Sequence, residues 1–299
     1  MNIRWVDTKQ FYETIIGMPE GIERDQYYID QFLSPWQQMM TMVAGQMGEL
    51  SDDPFSGARL WHWLIPNQLT QVPESLSKLD AVNAWQLGES AMLKAVESFA
   101  SYIEQIPIES IEGWLILADP KTSDPIGRGY TGGVDWMQPR FVVQYSDPND
   151  DNLSRLEGCI VHEMHHLIRS KVVPWNMGSA TVADYVIHEG LAESFATTLF
   201  GDHVLGHYVT DFDDSELDTA RTLISENLTQ TGFDTLRAFI FGDYWAEKLS
   251  LPRVGMPTYG GYAIGYHIVQ AYLNKTGHSI QSATFVPASQ IVEESGYFG

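Results

Sequence analysis

Apolar residues recur three and four positions apart through the first fifty residues: Phe11, Tyr12, Ile15 and Ile16, then Tyr27, Tyr28, Ile29, Phe32 and Leu33. This spacing predicts two or three short helices. They are punctuated by Pro19, Pro35, Gly45 and Gly48 and closed by the loop Ser51-Asp52-Asp53-Pro54. Trp61, Trp63 and Leu64 come next and are expected in the core, because clustered aromatics bury large areas against one another. A run rich in Ala, Leu and Glu over residues 77–103 carries helical periodicity and predicts one long helix before Pro107. The pattern then changes to β-type runs, Trp114-Leu115-Ile116-Leu117-Ala118 and Arg140-Phe141-Val142-Val143-Gln144-Tyr145, each bounded by turn residues.

Between these runs, residues 127–136 are rich in glycine. No Lys-Ser/Thr follows, so a phosphate-binding loop is excluded. A strand, turn or bulge that lets another backbone come close is the expectation. Asp147-Pro148-Asn149-Asp150-Asp151 lacks the order of a calcium loop and reads as a solvated turn, with Asn152 or Ser154 available to cap the next helix.

A second apolar run, residues 160–168, is interrupted by three histidines and one carboxylate. Neither Pro nor Gly occurs from Cys159 to Val173, which predicts a helix. A break at Val173-Pro174-Trp175-Asn176-Met177-Gly178 leads to another helix, from about Thr181 to Phe200. Helices over 217–227, 235–249 and 260–273 follow, joined by acidic loops such as Asp211-Phe212-Asp213-Asp214. The expected fold is α+β and mostly helical, with an N-terminal helical region at 1–106 and a second unit at 107–299.

Composition narrows the partners. Seventeen basic against 39 acidic residues give a formal charge of -22, which disfavours nucleic acid and anionic membrane surfaces. No apolar run approaches the length of a membrane span. Residues 1–7 carry no apolar core followed by a cleavage site, so a cytoplasmic location is expected. The lone Cys159 excludes an intramolecular disulfide and is expected to pack in the core.

The chemistry concentrates in His162-Glu163-Met164-His165-His166. On a helix, positions four apart share a face, so His162 and His166 can present two imidazoles to one zinc while Glu163 serves as general base. His165, offset by one position, is expected to have a local structural role. A catalytic zinc takes three protein ligands. The next helix offers His188-Glu189-Gly190-Leu191-Ala192-Glu193, where Glu189 and Glu193 share a face: one can bind metal while the other accepts the free ring N–H of a ligand histidine. His188 is a rival, but it sits roughly 100° around the helix from Glu189, so both cannot point at one ion. A donor to the oxyanion is also needed. Tyr262, Tyr266 and His267 are the candidates, and Tyr262, preceded by two glycines, is the first choice.

His162-Glu163-x-x-His166 with a downstream Glu189-Gly190-Leu191-Ala192-Glu193 resembles the gluzincin metallopeptidases. With Gly261-Tyr262-Ala263-Ile264-Gly265-Tyr266 added, it is more closely similar to the YjaZ-like family of predicted Zn-dependent proteases, mainly over residues 110–275. The resemblance implies a zincin-like domain with a small antiparallel sheet beside the motif helix, its edge strand able to bind extended peptide. It also implies Zn2+ as cofactor, Glu189 as third ligand and Glu193 as the carboxylate behind a ligand histidine. Many gluzincins carry Asp where this chain has Glu193. The expected activity is zinc-dependent hydrolysis of peptides or unfolded proteins. The alternative is a non-catalytic zinc-containing binding or regulatory protein.

Overall fold

A computed structural model of the chain describes residues 1–47, 51–174, 176 and 178–299. Gly48, and the Trp175 and Met177 of the expected break, lie outside the described residues.

The chain opens with β1 (Asn2–Trp5), a strand too short for its periodicity to register, then α1 (Thr8–Ile16), α2 (Ile22–Tyr28) and α3 (Gln37–Met47). After α4 (Ser56–Leu60) come α5 (Val72–Ala81) and α6 (Ala84–Ser98). The one long helix expected over 77–103 is therefore divided. Asn83 takes a left-handed φ of 54°, which ends the helical path, and Asn tolerates that region better than most residues. The strands β2 (Ser110–Leu117), β3 (Tyr130–Asp135) and β4 (Arg140–Tyr145) follow, then α7 (Asp150–Leu153), α8 (Leu156–Val172), α9 (Val182–Phe200) and α10 (His207–Thr210). The chain ends in α11 (Asp214–Asn227), α12 (Phe233–Phe241), α13 (Asp243–Lys248), α14 (Gly260–Thr276), α15 (Ile280–Ala283) and α16 (Ala288–Ser295). The helix expected over 235–249 is likewise divided, at Gly242 with φ 82°.

The chain forms two compact units, residues 1–93 with 109–164, and residues 94–108 with 165–299. The first holds a four-stranded sheet in the order β1-β2-β4-β3. The sheet is mixed, which corrects the antiparallel one expected: β1 with β2 and β2 with β4 run parallel, and only β3 with β4 is antiparallel. The long helical connection from Trp5 to Ser110 is the kind of crossover that parallel pairing requires, whereas a tight turn suffices for β3 and β4. β3 lies at an edge, with Gly132 opposite Val143 and Gly133 opposite Val142.

Trp114, Leu115, Phe141, Val143 and Tyr145 are buried on this sheet, and the ring of Trp36 packs edge-on against Trp63 and Trp114. Asn149 caps α7, its side chain accepting from the backbone N–H groups of Asp151 and Asn152. Asn152, expected as a possible cap, is instead fully buried. It donates to the carbonyls of Arg128 at 3.0 Å and Asp147 at 2.8 Å, tying the approach to β3 to the start of α7.

In the second unit α9 is capped by Thr181, whose hydroxyl accepts from the Asp184 N–H while the Asp184 carboxylate accepts from the Thr181 N–H. From Val186 to Thr197 every residue of α9 is buried. A helix apolar nearly all round is a core helix, so carboxylates on it are held away from water.

Candidate metal centre

Leu156, Ile160, Val161, Met164, Leu167 and Ile168 bury α8 on several sides, and His162, Glu163, His165 and His166 are all buried along with them. The next helix, α9, presents Glu189. One ligating atom each from His162, His166 and Glu189 lies within 4.8 Å of the other two, and all three side chains are buried. Among the described residues this is the cluster of His, Cys, Asp and Glu with spacing fit for a metal ion.

Nε2 of His166 is 3.2 Å from Oε2 of Glu189. Tetrahedral zinc bonds of about 2.0–2.1 Å set neighbouring ligand atoms roughly 3.3 Å apart, so this pair already has the spacing of two zinc ligands. Two imidazole nitrogens and one carboxylate oxygen also form the donor set of a catalytic zinc. The residues fit the ion.

His188 lies beside this set, its ring stacked on that of His166 with centroids 4.2 Å apart and planes 14° from parallel. Burial, and then the neighbouring His166, hold the His188 imidazole well below the usual histidine pKa. It is therefore neutral near pH 7 and adds no positive charge beside a cation site. His165 is fully buried; its Nε2 is 3.0 Å from the Thr284 hydroxyl and its ring lies against Phe195. One turn on, the Arg169 guanidinium bonds the Thr284 carbonyl, and burial pushes its pKa down to about 10, still charged at neutral pH. His165 and Arg169 thus anchor α8 at Thr284. Cys159 is half-buried, not fully packed in the core.

The Glu163 side chain lies against the backbone of Gly132 in β3. Glu193, one turn beyond Glu189, is buried; its carboxylate accepts from the Gly206 N–H at 3.2 Å and from the Tyr208 hydroxyl. Tyr208 in turn packs on Tyr262, with ring centroids 4.8 Å apart, and Tyr259 and Phe241 complete this aromatic group. Tyr262 thus stands in the first turn of α14, one aromatic ring removed from Glu193. Tyr266 is hydrogen-bonded to Thr197, and burial raises its pKa. His267 stacks parallel to Tyr297 with centroids 6.4 Å apart.

Sequence reasoning missed Tyr208 and the stacking of His188 on His166. Tyr208 falls in a four-residue helix, α10, with no motif around it; the one available signal was a tyrosine following Gly206 and His207 soon after a buried-helix pattern.

A buried His2Glu cluster on two helices defines a candidate metalloprotein, and the comparisons with known proteins agree. The chain belongs to the family described as "Predicted Zn-dependent protease (DUF2268)", which matches residues 84–293. It is similar to the uncharacterized protein YjfC of Bacillus subtilis (strain 168), 30% identical over 305 residues, covering 100% of this chain and 99% of that protein. It is also similar to the uncharacterized protein YjaZ of the same organism, 23% identical over 167 residues, covering 55% of this chain and 59% of that protein. No solved structure matches the chain significantly. Among the described residues no helix is long and apolar enough to cross a membrane.

Proposed function

We propose that the chain is a zinc-dependent peptidase of the gluzincin type, hydrolysing peptides or unfolded proteins in the cytoplasm. The observation that carries the reading is the buried cluster of His162, His166 and Glu189, with Glu163 on the same helix as the two histidines. In this reading those three side chains hold Zn2+. When bound there, zinc supplies a Lewis acid that polarises a carbonyl and lowers the pKa of water. Glu163 takes a proton from the attacking water and passes it to the leaving amine. The Tyr262 hydroxyl donates a hydrogen bond to the carbonyl oxygen as negative charge builds on it. Glu193, one turn beyond Glu189, accepts the free ring N–H of a ligand histidine and so orients it.

The test joins zinc stoichiometry by mass spectrometry to hydrolysis of fluorescently labelled casein. The native chain is expected to carry one zinc and cleave. Glu163→Gln is expected to keep the zinc and lose cleavage by about 100-fold or more, the scale of general-base catalysis. Full cleavage by that variant would remove Glu163 from the mechanism, and zinc without turnover by the native chain on any peptide would favour a binding or regulatory protein.

A further inference from the structure

Gly132 and Gly133 are neighbours in the edge strand β3, yet the space beyond their α-carbons differs. A β-carbon on Gly132 would stand 2.4 Å from Oε1 of Glu163, 2.5 Å from its Cγ and 2.6 Å from its Cδ. A β-carbon on Gly133 would meet nothing within 4 Å. Successive positions of a strand face opposite sides of the sheet, so one glycine faces α8 and the other open space. Neither has a positive φ, so the backbone does not demand glycine at either position. Glycine also weakens a strand interior, which makes its presence at 132 informative.

We infer that Gly132 is a positioning residue for Glu163: the volume a side chain would fill at 132 is the volume occupied by the Glu163 carboxyl group, which is thereby seated on the bare backbone of β3. Alanine at 132 displaces the Cγ, Cδ and Oε1 atoms of that side chain. The catalytic consequence rests on Glu163 being the general base, as proposed above; the packing relationship does not.

The experiment therefore has two arms on the full-length chain. The first is a double-mutant cycle on the thermal unfolding midpoint with EDTA present, which needs neither metal nor activity. Gly132→Ala is expected to lower the midpoint by about 3 °C or more, the scale of overpacking in a chain of this size. The same change in a Glu163→Ala background is expected to lower it by less than about 1 °C, because nothing then fills the space. Gly133→Ala is expected to leave the midpoint unchanged. Equal losses in both backgrounds would overturn the inference, as would a loss at Gly133 matching that at Gly132. Should Gly132→Ala fail to fold, a folded Gly132→Ala/Glu163→Ala chain would support the inference and an unfolded one would sink it.

The second arm measures casein hydrolysis by the zinc-loaded chain. Displacing a general base by an ångström costs on the order of 100-fold, so kcat is expected to fall by about that factor with KM unchanged. An unchanged kcat would remove the positioning role. Absence of hydrolysis by the native chain would defeat the proposed function instead, and the thermal cycle would still decide whether Gly132 seats Glu163.

Discussion

Gly190 of α9 and Gly265 of α14 bring two helix backbones into direct contact. A β-carbon at Gly190 would stand 2.1 Å from the Gly265 carbonyl oxygen, and one at Gly265 would stand 2.1 Å from that of Val186. What stands in the way is backbone, which cannot rotate aside as a side chain can. Overpacking a core costs about 1–3 kcal/mol when side chains can yield, and more when they cannot. Gly190→Ala and Gly265→Ala are each expected to cost about 3 kcal/mol or more in urea denaturation. Because Glu189 precedes Gly190, the Gly190 variant should also bind less zinc. A Gly190→Ala chain within 1 kcal/mol of native, by the same ~25 °C reckoning, would show that the helices have room to separate.

The Tyr208 hydroxyl supplies a hydrogen bond to the buried Glu193 carboxylate, alongside the Gly206 N–H. Tyr208→Phe keeps the ring on Tyr262 but withdraws that donor from a buried charge. Hydrogen bonds to charged groups contribute about 1.5–3 kcal/mol. The variant is expected to lose stability of that size in chemical denaturation while retaining the aromatic contact. Native-like stability would mean that Glu193 is equally well served by other partners.

If His162, His166 and Glu189 hold zinc as proposed, thermal shift separates them from the neighbouring His165. An ion that binds only the folded state stabilises it by about 4 kcal/mol at a thousandfold excess over its Kd. The native chain should therefore melt higher with zinc and lower with EDTA. His162→Ala, His166→Ala and Glu189→Ala should each abolish that difference. His165→Ala should keep it and yet lower the midpoint under both conditions, because His165 bonds Thr284 and packs on Phe195. If His165→Ala abolished the zinc response and His166→Ala did not, the two histidines would have been assigned the wrong way round.

How much of this was legible in the chain differs by residue for physical reasons. The pairing of His162 with His166 could be read because it is local, four positions on one helix; Glu189 and Glu193 share a face of the return helix, and the family resemblance singled out Glu189. β4 was legible for the same reason, as a short β-branched and aromatic run between turn residues. The parallel pairing of β1 with β2 was not, since it joins Trp5 to Gly113 across a long stretch of helices. The division of 77–103 turned on a single left-handed residue, Asn83, in an otherwise helical pattern. Tyr208 and Glu193 meet through a chain reversal near Gly206, and no periodicity encodes which carboxylate a tyrosine will find.

His267 makes the stability of the fold depend on pH. Burial holds the His267 imidazole below the usual histidine pKa, where Tyr266 and Tyr297 pack on it. Burial raises the pKa of both phenols, so neither changes charge between pH 5 and 8. In the unfolded chain His267 binds a proton near its ordinary pKa of about 6.5. Above that pH the residue is neutral in both states and contributes no pH dependence. As pH falls through about 6.5, the unfolded state takes up a proton that the folded state does not, and stability is lost until the folded imidazole is itself protonated. With EDTA present to remove any metal linkage, the unfolding midpoint should therefore fall between pH 7.5 and 5.5, and His267→Phe should make that fall smaller. The other buried histidines are common to both chains, so the difference between the two slopes isolates His267. Parallel slopes would mean that the folded imidazole is protonated as easily as in the unfolded chain.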